Sequence, residues 1–352
     1  MTVIDAFSHF LPRAVLRRFR ELAPEHPALA LFERLPELWD VASRLESLEP
    51  FPAVQQVLNF GNPPIETVAD PDEAVELARL ANTELARLRD SYPDRFPAFT
   101  AVLPLQDIEH AIQELTYAHD VLGARGIQLF TNVCGEPLSH RKFRPLFVEM
   151  ADRDLPVLVH PYRTAQTPDY AAEQASIDEV WFTFGWPYET SAFAARMVFS
   201  GIFDELPNLK ILLHHFGAMI PMFANRLDLG FSQIFGDPGG ANPVAAQAGI
   251  TQPVGAHYRR FYADTALNGW APGLRLGVDF FGVSHSVFGS DAPFCPDGGR
   301  SFVADALKAI DEIGLDEAQR RLVLEGNARR LFLLDDHPNS LSPTIDHSWS
   351  KA

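Results

Sequence analysis

The feature that most constrains this chain is a set of short apolar runs, each ending in a side chain that can hold a metal. The first run, Thr2-Val3-Ile4-Asp5-Ala6-Phe7-Ser8-His9-Phe10-Leu11-Pro12, is of strand type, ends in a histidine, and is stopped by a proline. Three later stretches repeat the arrangement: Leu155-Pro156-Val157-Leu158-Val159-His160-Pro161, Ile211-Leu212-Leu213-His214-His215, and Val287-Phe288-Gly289-Ser290-Asp291. A lone histidine after a strand is more often a satisfied loop or core residue. An aspartate after an apolar run more often caps a helix. Four such ends in one chain, in the order His, His, His, Asp, are read as one site. In a (β/α)8 barrel the C-terminal ends of the strands converge on the face that carries function.

Length allows either two ordinary domains or one large barrel with insertions, since the chain has 352 residues. One strand–helix alternation runs through nearly all of it, which favours a single barrel over residues 1–334 and a polar tail over 335–352. That tail is either loose or an arm that crosses to another subunit. A net charge of −17 with no basic stripe argues against nucleic-acid binding. Two cysteines, Cys134 and Cys295, make no disulfide framework and no CxxC zinc pair; each follows an expected strand end and reads as a thiol near the mouth or, more simply, as a buried small hydrophobe. With no signal-peptide pattern and no apolar run of membrane length, the chain reads as soluble and cytoplasmic, without a membrane partner.

After the first strand an insertion of about residues 11–49 carries two helical segments, Arg13–Phe19 and Leu38–Leu45, readable as a lid or as a surface helical pair. Strands are expected at Ala53–Phe60, Phe96–Leu103, Gly126–Phe130, Leu155–His160, Ile211–His215, Phe261–Asp264 and Val287–Ser290. Helices are expected over Asp72–Asp90, from an Asp107 cap to Leu122, over Lys142–Arg153, up to Phe203, and over Ile220–Phe235. A Gly/Pro-rich loop follows through Gly240, and Tyr162–Ile177 reads as a loop over the barrel mouth.

Several of these segments carry a family resemblance. Asp5 to His9, His160-Pro161, His215-Phe216-Gly217 with Pro221 and Arg226, and Gly289-Ser290-Asp291-Ala292-Pro293-Phe294 resemble the amidohydrolase-2 branch of the amidohydrolase superfamily. That branch includes aminocarboxymuconate-semialdehyde, resorcylate and carboxyvanillate decarboxylases. The resemblance extends through Phe130–Val133, Gly185–Thr190 and Phe199–Phe203. It implies a distorted (β/α)8 TIM barrel, a homodimer, and one divalent metal, zinc first and manganese second. The family's ligands would fall on His9, His160 and Asp291, with His215 handling protons or water. One departure matters: the family's first strand ends His-x-His or Glu-x-His, and here the first of those positions is Phe7, which has no lone pair. Alternation puts Phe7 and His9 on one face, so a ring points where a ligand should be.

Two imidazoles and a carboxylate suit zinc well and manganese acceptably. Two chemistries then compete. In the first, a small aromatic or conjugated carboxylate loses carbon dioxide without oxidation, with His215 or Asp291 supplying the proton. In the second, a metal-activated water attacks a ketone, β-keto thioester or amide carbonyl. A third reading is a barrel that binds a small molecule without a metal and without turnover. Arg163 and Arg226 are candidate carboxylate clamps, or equally helix-end salt-bridge partners. Asn132 and Glu189 follow strand ends and are candidate substrate contacts, Glu189 equally a buried partner for an arginine. Phe7, Trp186 and Tyr188 suggest an aromatic wall for a planar ring, or barrel-top packing. His214 is expected on the face opposite His215, as a packing residue or a support for the ligands.

Overall fold

The computed structural model describes residues 1–230, 243–250 and 252–334. The polar tail 335–352 and the Gly/Pro-rich loop up to Gly240 lie outside the described residues, as do the last residues of the helix expected to reach Phe235. Eight segments make the barrel wall. β1 (Val3–Phe10) pairs in parallel with β2 (Val54–Phe60). β3 (Ile127–Phe130) begins a five-stranded parallel sheet that continues through β6 (Pro156–His160), β7 (Lys210–Leu213), β8 (Tyr262–Asp264) and β9 (Ser286–Val287). Between β3 and β6 a small hairpin of β4 (Asn132–Val133) and β5 (Glu136–Pro137) projects from the mouth.

The two sheets are joined at both edges. The expected third strand, Phe96–Leu103, is not a regular strand. Segment 96–101 bridges Leu58↔Phe99 and Ala101↔Ile127 without a regular ladder. It links β2 to β3 through backbone hydrogen bonds such as Leu58 N–H to Ala98 O (3.0 Å), Thr100 N–H to Leu58 O (3.0 Å) and Ala101 N–H to Gly126 O (2.8 Å). On the other side the chain beyond β9 closes on β1, with Ala6 N–H donating to Phe288 O (2.8 Å), Asp291 N–H to Phe7 O (3.0 Å) and His9 N–H to Ala292 O (2.7 Å). Strand alternation fills the interior with Ile4, Ala6, Phe7, Val57, Leu158, Leu212 and Val287. Ala6 and Phe7 can both face inward because the β1–β2 register shifts between Asp5 and Ser8.

The insertion after β1 is four helices rather than two: α1 (Arg13–Leu22), α2 (Pro27–Phe32), α3 (Pro36–Trp39) and α4 (Val41–Leu48). Prolines at the first turns of α2 and α3 cut what would be one long helix into short ones. Val15, Phe19, Leu29, Phe32 and Leu38 form a core of their own with Phe60, Leu77, Ala78 and Ala81. The last three of these belong to α5 (Pro71–Ser91), whose start is fixed by an Asp70–Glu73 capping box. Helix α6 (Ile108–Asp120) starts at its Asp107 cap as expected, and α7 is Arg144–Asp152. The helix expected to run to Phe203 is divided into α8 (Trp186–Phe199) and α9 (Ile202–Glu205) by Gly201 at φ +71°. After β7, the described part of the helix expected from Ile220 is a 3-10 turn at Pro221–Phe223 followed by a short α10 (Ala224–Leu229).

Candidate metal centre

Three strand ends bring imidazoles to one point. One ring nitrogen from each of His9, His160 and His214 lies within 4.8 Å of the others, and His214, His215 and Asp291 make a second, overlapping group. Each of the first three rings is fixed through Nδ1. His9 Nδ1 bonds Phe60 O (3.1 Å), His160 Nδ1 bonds Pro161 O (2.7 Å) and His214 Nδ1 bonds Asp264 Oδ2 (2.6 Å). Each Nε2 is thereby left for the mouth of the barrel. Asp291 Oδ1 stands 3.3 Å from His9 Nε2 and 3.3 Å from His214 Nε2, while its Oδ2 is 3.6 Å from His215 Nε2.

His214 corrects an expectation. It does not turn away from the site: it is fully buried inside it. Register explains why. β6 and β7 pair with Leu158 opposite Leu212 and Val159 opposite Leu213. Leu158 and Leu212 face the interior, so two residues on, His160 and His214 face it side by side. The strand ends at Leu213, and the backbone then turns sharply, with φ of +54° at His215. That turn, not strand alternation, brings His215 back toward Asp291.

The electrostatics at His160 and Asp291 suit a cation. Burial, then the neighbouring His9, His214 and His215, hold His160 well below its ordinary value, so it presents a neutral ring. Burial by itself would raise Asp291, but the adjacent imidazoles of His214, His215 and His9 outweigh it and hold the carboxylate well below its usual range. His214 goes the other way. Against its burial, Asp264 and then Asp291 push it up to about 9. His9 Nε2, although 3.3 Å from Asp291, has no partner in hydrogen-bond geometry and is buried. An orphaned buried ring nitrogen facing a carboxylate and two more imidazoles fits a divalent ion.

The strand ends are cross-braced. Arg44 of α4, 1% exposed, donates to the His9 carbonyl and, at 2.9 Å each, to Gln56 Oε1 and Glu37 O. Asp5 accepts from Ser290 N–H (2.9 Å), Ser290 Oγ (2.6 Å) and Gln56 Nε2 (2.9 Å). The residue beside Asp291 is thus tied to the strand that carries His9. The insertion is more than a cover over the mouth, since it locks the end of β1.

The expected substrate contacts divide. Trp186 sets its ring edge-on to His160 at 5.2 Å, and Phe294, which composition alone did not single out, lies 5.2 Å from His9. Phe7 does not wall the pocket. It is 0% exposed and stacks on His214 from within the barrel, so it supports the cluster instead. Tyr188 is exposed. Asn132, Arg163 and Glu189 come together with one another, lining a cavity of about 450 Å³ whose lining does not include the histidines. Arg163 already faces Asp169 (3.3 Å) and Glu189 (3.7 Å), which takes up its charge. Arg226 is exposed on α10, and among the described residues no contact joins it to the cluster. Asp264 was overlooked as a site residue. Its signal was present, because Phe261-Tyr262-Ala263-Asp264 is another apolar run ending in a carboxylate.

Comparison with known proteins agrees with this geometry. The Amidohydrolase family model matches residues 4–334. The decarboxylase macB of Penicillium terrestre is 30% identical over 343 residues, covering 94% of this chain and 95% of that one. The gamma-resorcylate decarboxylase of Rhodococcus jostii (strain RHA1) is 29% identical over 311 residues, or 86% and 89% of the two chains. Among solved structures, the dihydroxybenzoic acid decarboxylase from Polaromonas sp. JS666, with bound manganese and the inhibitor 2-nitroresorcinol, superposes with a TM-score of 0.75 at 25% identity. It matches over 96% of this chain and 98% of that one. A closed barrel with its imidazoles and carboxylate at the strand ends, and matches of this extent, lead to one conclusion: the chain belongs to the amidohydrolase family.

Proposed function

We propose that this chain is a carboxy-lyase that removes carbon dioxide, without oxidation, from a small aromatic or conjugated carboxylic acid, with one divalent ion held by His9, His160 and Asp291. The observation that carries the reading is the convergence of His9 Nε2 and Asp291 Oδ1, 3.3 Å apart, beside the neutral ring of His160. The relatives named above as decarboxylases supply the reaction class. The imidazole and carboxylate donors suit zinc first and manganese second. Bound there, the ion would draw electron density from the substrate's carboxylate and its neighbouring oxygen.

The chain's own residues do the rest. Trp186 beside His160 and Phe294 beside His9 offer ring surfaces for a planar substrate. Arg226 is the candidate guanidinium for the substrate's outer carboxylate or hydroxyl. Arg163, engaged by Asp169 and Glu189, instead orders Glu189 and through it Asn132. The His215–Asp291 pair delivers a proton to the ring carbon that bears the carboxylate. The bond from that carbon to the carboxylate then breaks. Its electron pair returns to the conjugated system, carbon dioxide leaves, and solvent returns a proton to the pair.

A panel of hydroxybenzoic acids and conjugated dicarboxylic acids tests this. One equivalent of carbon dioxide per equivalent of decarboxylated product is expected from at least one member. Products that are an acid plus a fragment, with no carbon dioxide, would replace this reading with hydrolysis. A cytoplasmic homodimer completes the proposal, and light scattering of the purified protein reads the assembly. Among the described residues no helix is long and apolar enough to cross a membrane.

A further inference from the structure

We infer that His214 is itself a ligand of the ion, standing in for the ligand that Phe7 cannot supply; this rests on the reading that His9, His160 and Asp291 hold that ion. Position 7 faces the interior two residues before His9, as a ligand on that strand would, but carries a phenyl ring with no lone pair. Position 214 faces the same space and carries an imidazole, buried to 0% exposure. The two side chains are in direct contact, ring centroids 3.9 Å apart and planes 14° from parallel. One side chain fills volume beneath the site, and the other presents a nitrogen above it.

Geometry separates a ligand from a packing residue here. Two donors on one tetrahedral zinc at about 2.0–2.1 Å lie roughly 3.3 Å apart. His214 Nε2 is 3.3 Å from Asp291 Oδ1, and His9 Nε2 is 3.3 Å from the same oxygen. His214 therefore occupies an edge of the same length as one between two assigned ligands. Its ring cannot swing away. Asp264 Oδ2 holds Nδ1 at 2.6 Å, Phe7 covers one face, and His214 N–H donates to Val159 O at 3.2 Å on the strand that carries His160. A carboxylate fixing Nδ1 so that Nε2 can bind is the usual support for a ligating histidine. The centre would then be three imidazoles and one carboxylate, with His215 left outside it and free to move protons.

X-ray absorption of the zinc-loaded full-length protein counts imidazoles directly, alongside metal stoichiometry and affinity measured by competition with a chelator. One ion with three imidazoles is expected in the native protein. His215→Gln should keep three. His214→Gln should show two and bind zinc about 100-fold more weakly. Should His214→Gln fail to fold, three imidazoles in both the native protein and His215→Gln still assign the third to His214. One ion with two imidazoles, and unchanged affinity in His214→Gln, would overturn the inference and leave the His9, His160 and Asp291 centre standing. A native protein that takes up no zinc or manganese would instead remove that centre, and this inference with it.

Discussion

The ring of Phe7 lies flat against the imidazole of His214, 3.9 Å between centroids, with both side chains fully buried. A residue that the sequence offers as a wall for substrate is thus the floor under a histidine of the site. Removing it leaves a void under His214. Phe7→Ala should cost roughly 3–5 kcal/mol of folding stability and weaken metal binding as His214 loosens. Urea unfolding with chelator titration reads both. A variant as stable as the native protein would show that the stack does not hold the ring.

Asp264 accepts from His214 Nδ1 with one oxygen and from the backbone N–H groups of His215 (3.1 Å) and Ala266 (3.0 Å) with the other. In Asp264→Asn the carbonyl oxygen can keep the two backbone bonds, but the amide NH₂ then meets the His214 N–H donor to donor. The ring must change tautomer or tilt. Metal affinity and turnover are expected to fall about 10–100-fold, with far-UV circular dichroism unchanged. Unaltered affinity would separate Asp264 from the site.

The backbone from His215 to Ala218 is held in the left-handed region throughout, at φ of +54°, +51°, +69° and +55°. For the three residues other than Gly217 this costs on the order of 1–2 kcal/mol each. Gly217 is the one position of the four where the conformation is free, and a Cβ there would meet Phe281 Cζ at 2.5 Å. Gly217→Ala should therefore shift His215 away from Asp291. Steady-state kinetics should show kcat reduced more than KM changes. A drop in thermal stability with kcat preserved would contradict the link.

Burial pushes Asp5 up to about 6, against the opposing hydrogen bonds of Ser290 and Gln56 and the charge of Arg44. In the unfolded chain the same carboxyl ionises near 3.8. Between these values the unfolded state gives up its proton first. Asp5 therefore contributes stability that is fully present below 3.8 and lost as pH rises through 6. Asp5→Asn cannot titrate, so the native protein should lose on the order of 3 kcal/mol relative to it from about pH 3.5 to about pH 7. Thermal or urea unfolding of both across that range checks the sign. A native advantage that grew with pH would contradict it.

The barrel and the site were legible in the sequence to different depths. The apolar runs of β1, β6 and β7 declare themselves because their interior and exterior faces are both largely buried, so most of their residues are hydrophobic up to the polar side chains the site uses. Segment 96–101 reads as a full strand for the same reason. It falls short because hydrogen-bond geometry, not hydrophobicity, decides how far a ladder extends. His9, His160 and Asp291 were found as strand-end side chains, and the structure brings them together. Alternation counted back from His215 puts His214 on the wrong face, because His215 lies past the end of β7 where alternation no longer holds. Counting from Leu212 gives the observed orientation. Salt bridging by Arg163 and pairing of Glu189 with an arginine were both open to the sequence; that they pair with each other, and with Asp169, was not, because it depends on how a loop and α8 fold against each other.

The central claim is that these strand ends hold one ion on which loss of carbon dioxide depends. Carbon dioxide release from the best substrate of the panel should be followed with chelator-stripped protein and during stepwise return of zinc or manganese. Release should be abolished by stripping and restored in full at one equivalent of metal per chain, with no restoration in Asp291→Asn. Undiminished release from stripped protein, or full restoration in Asp291→Asn, would contradict it.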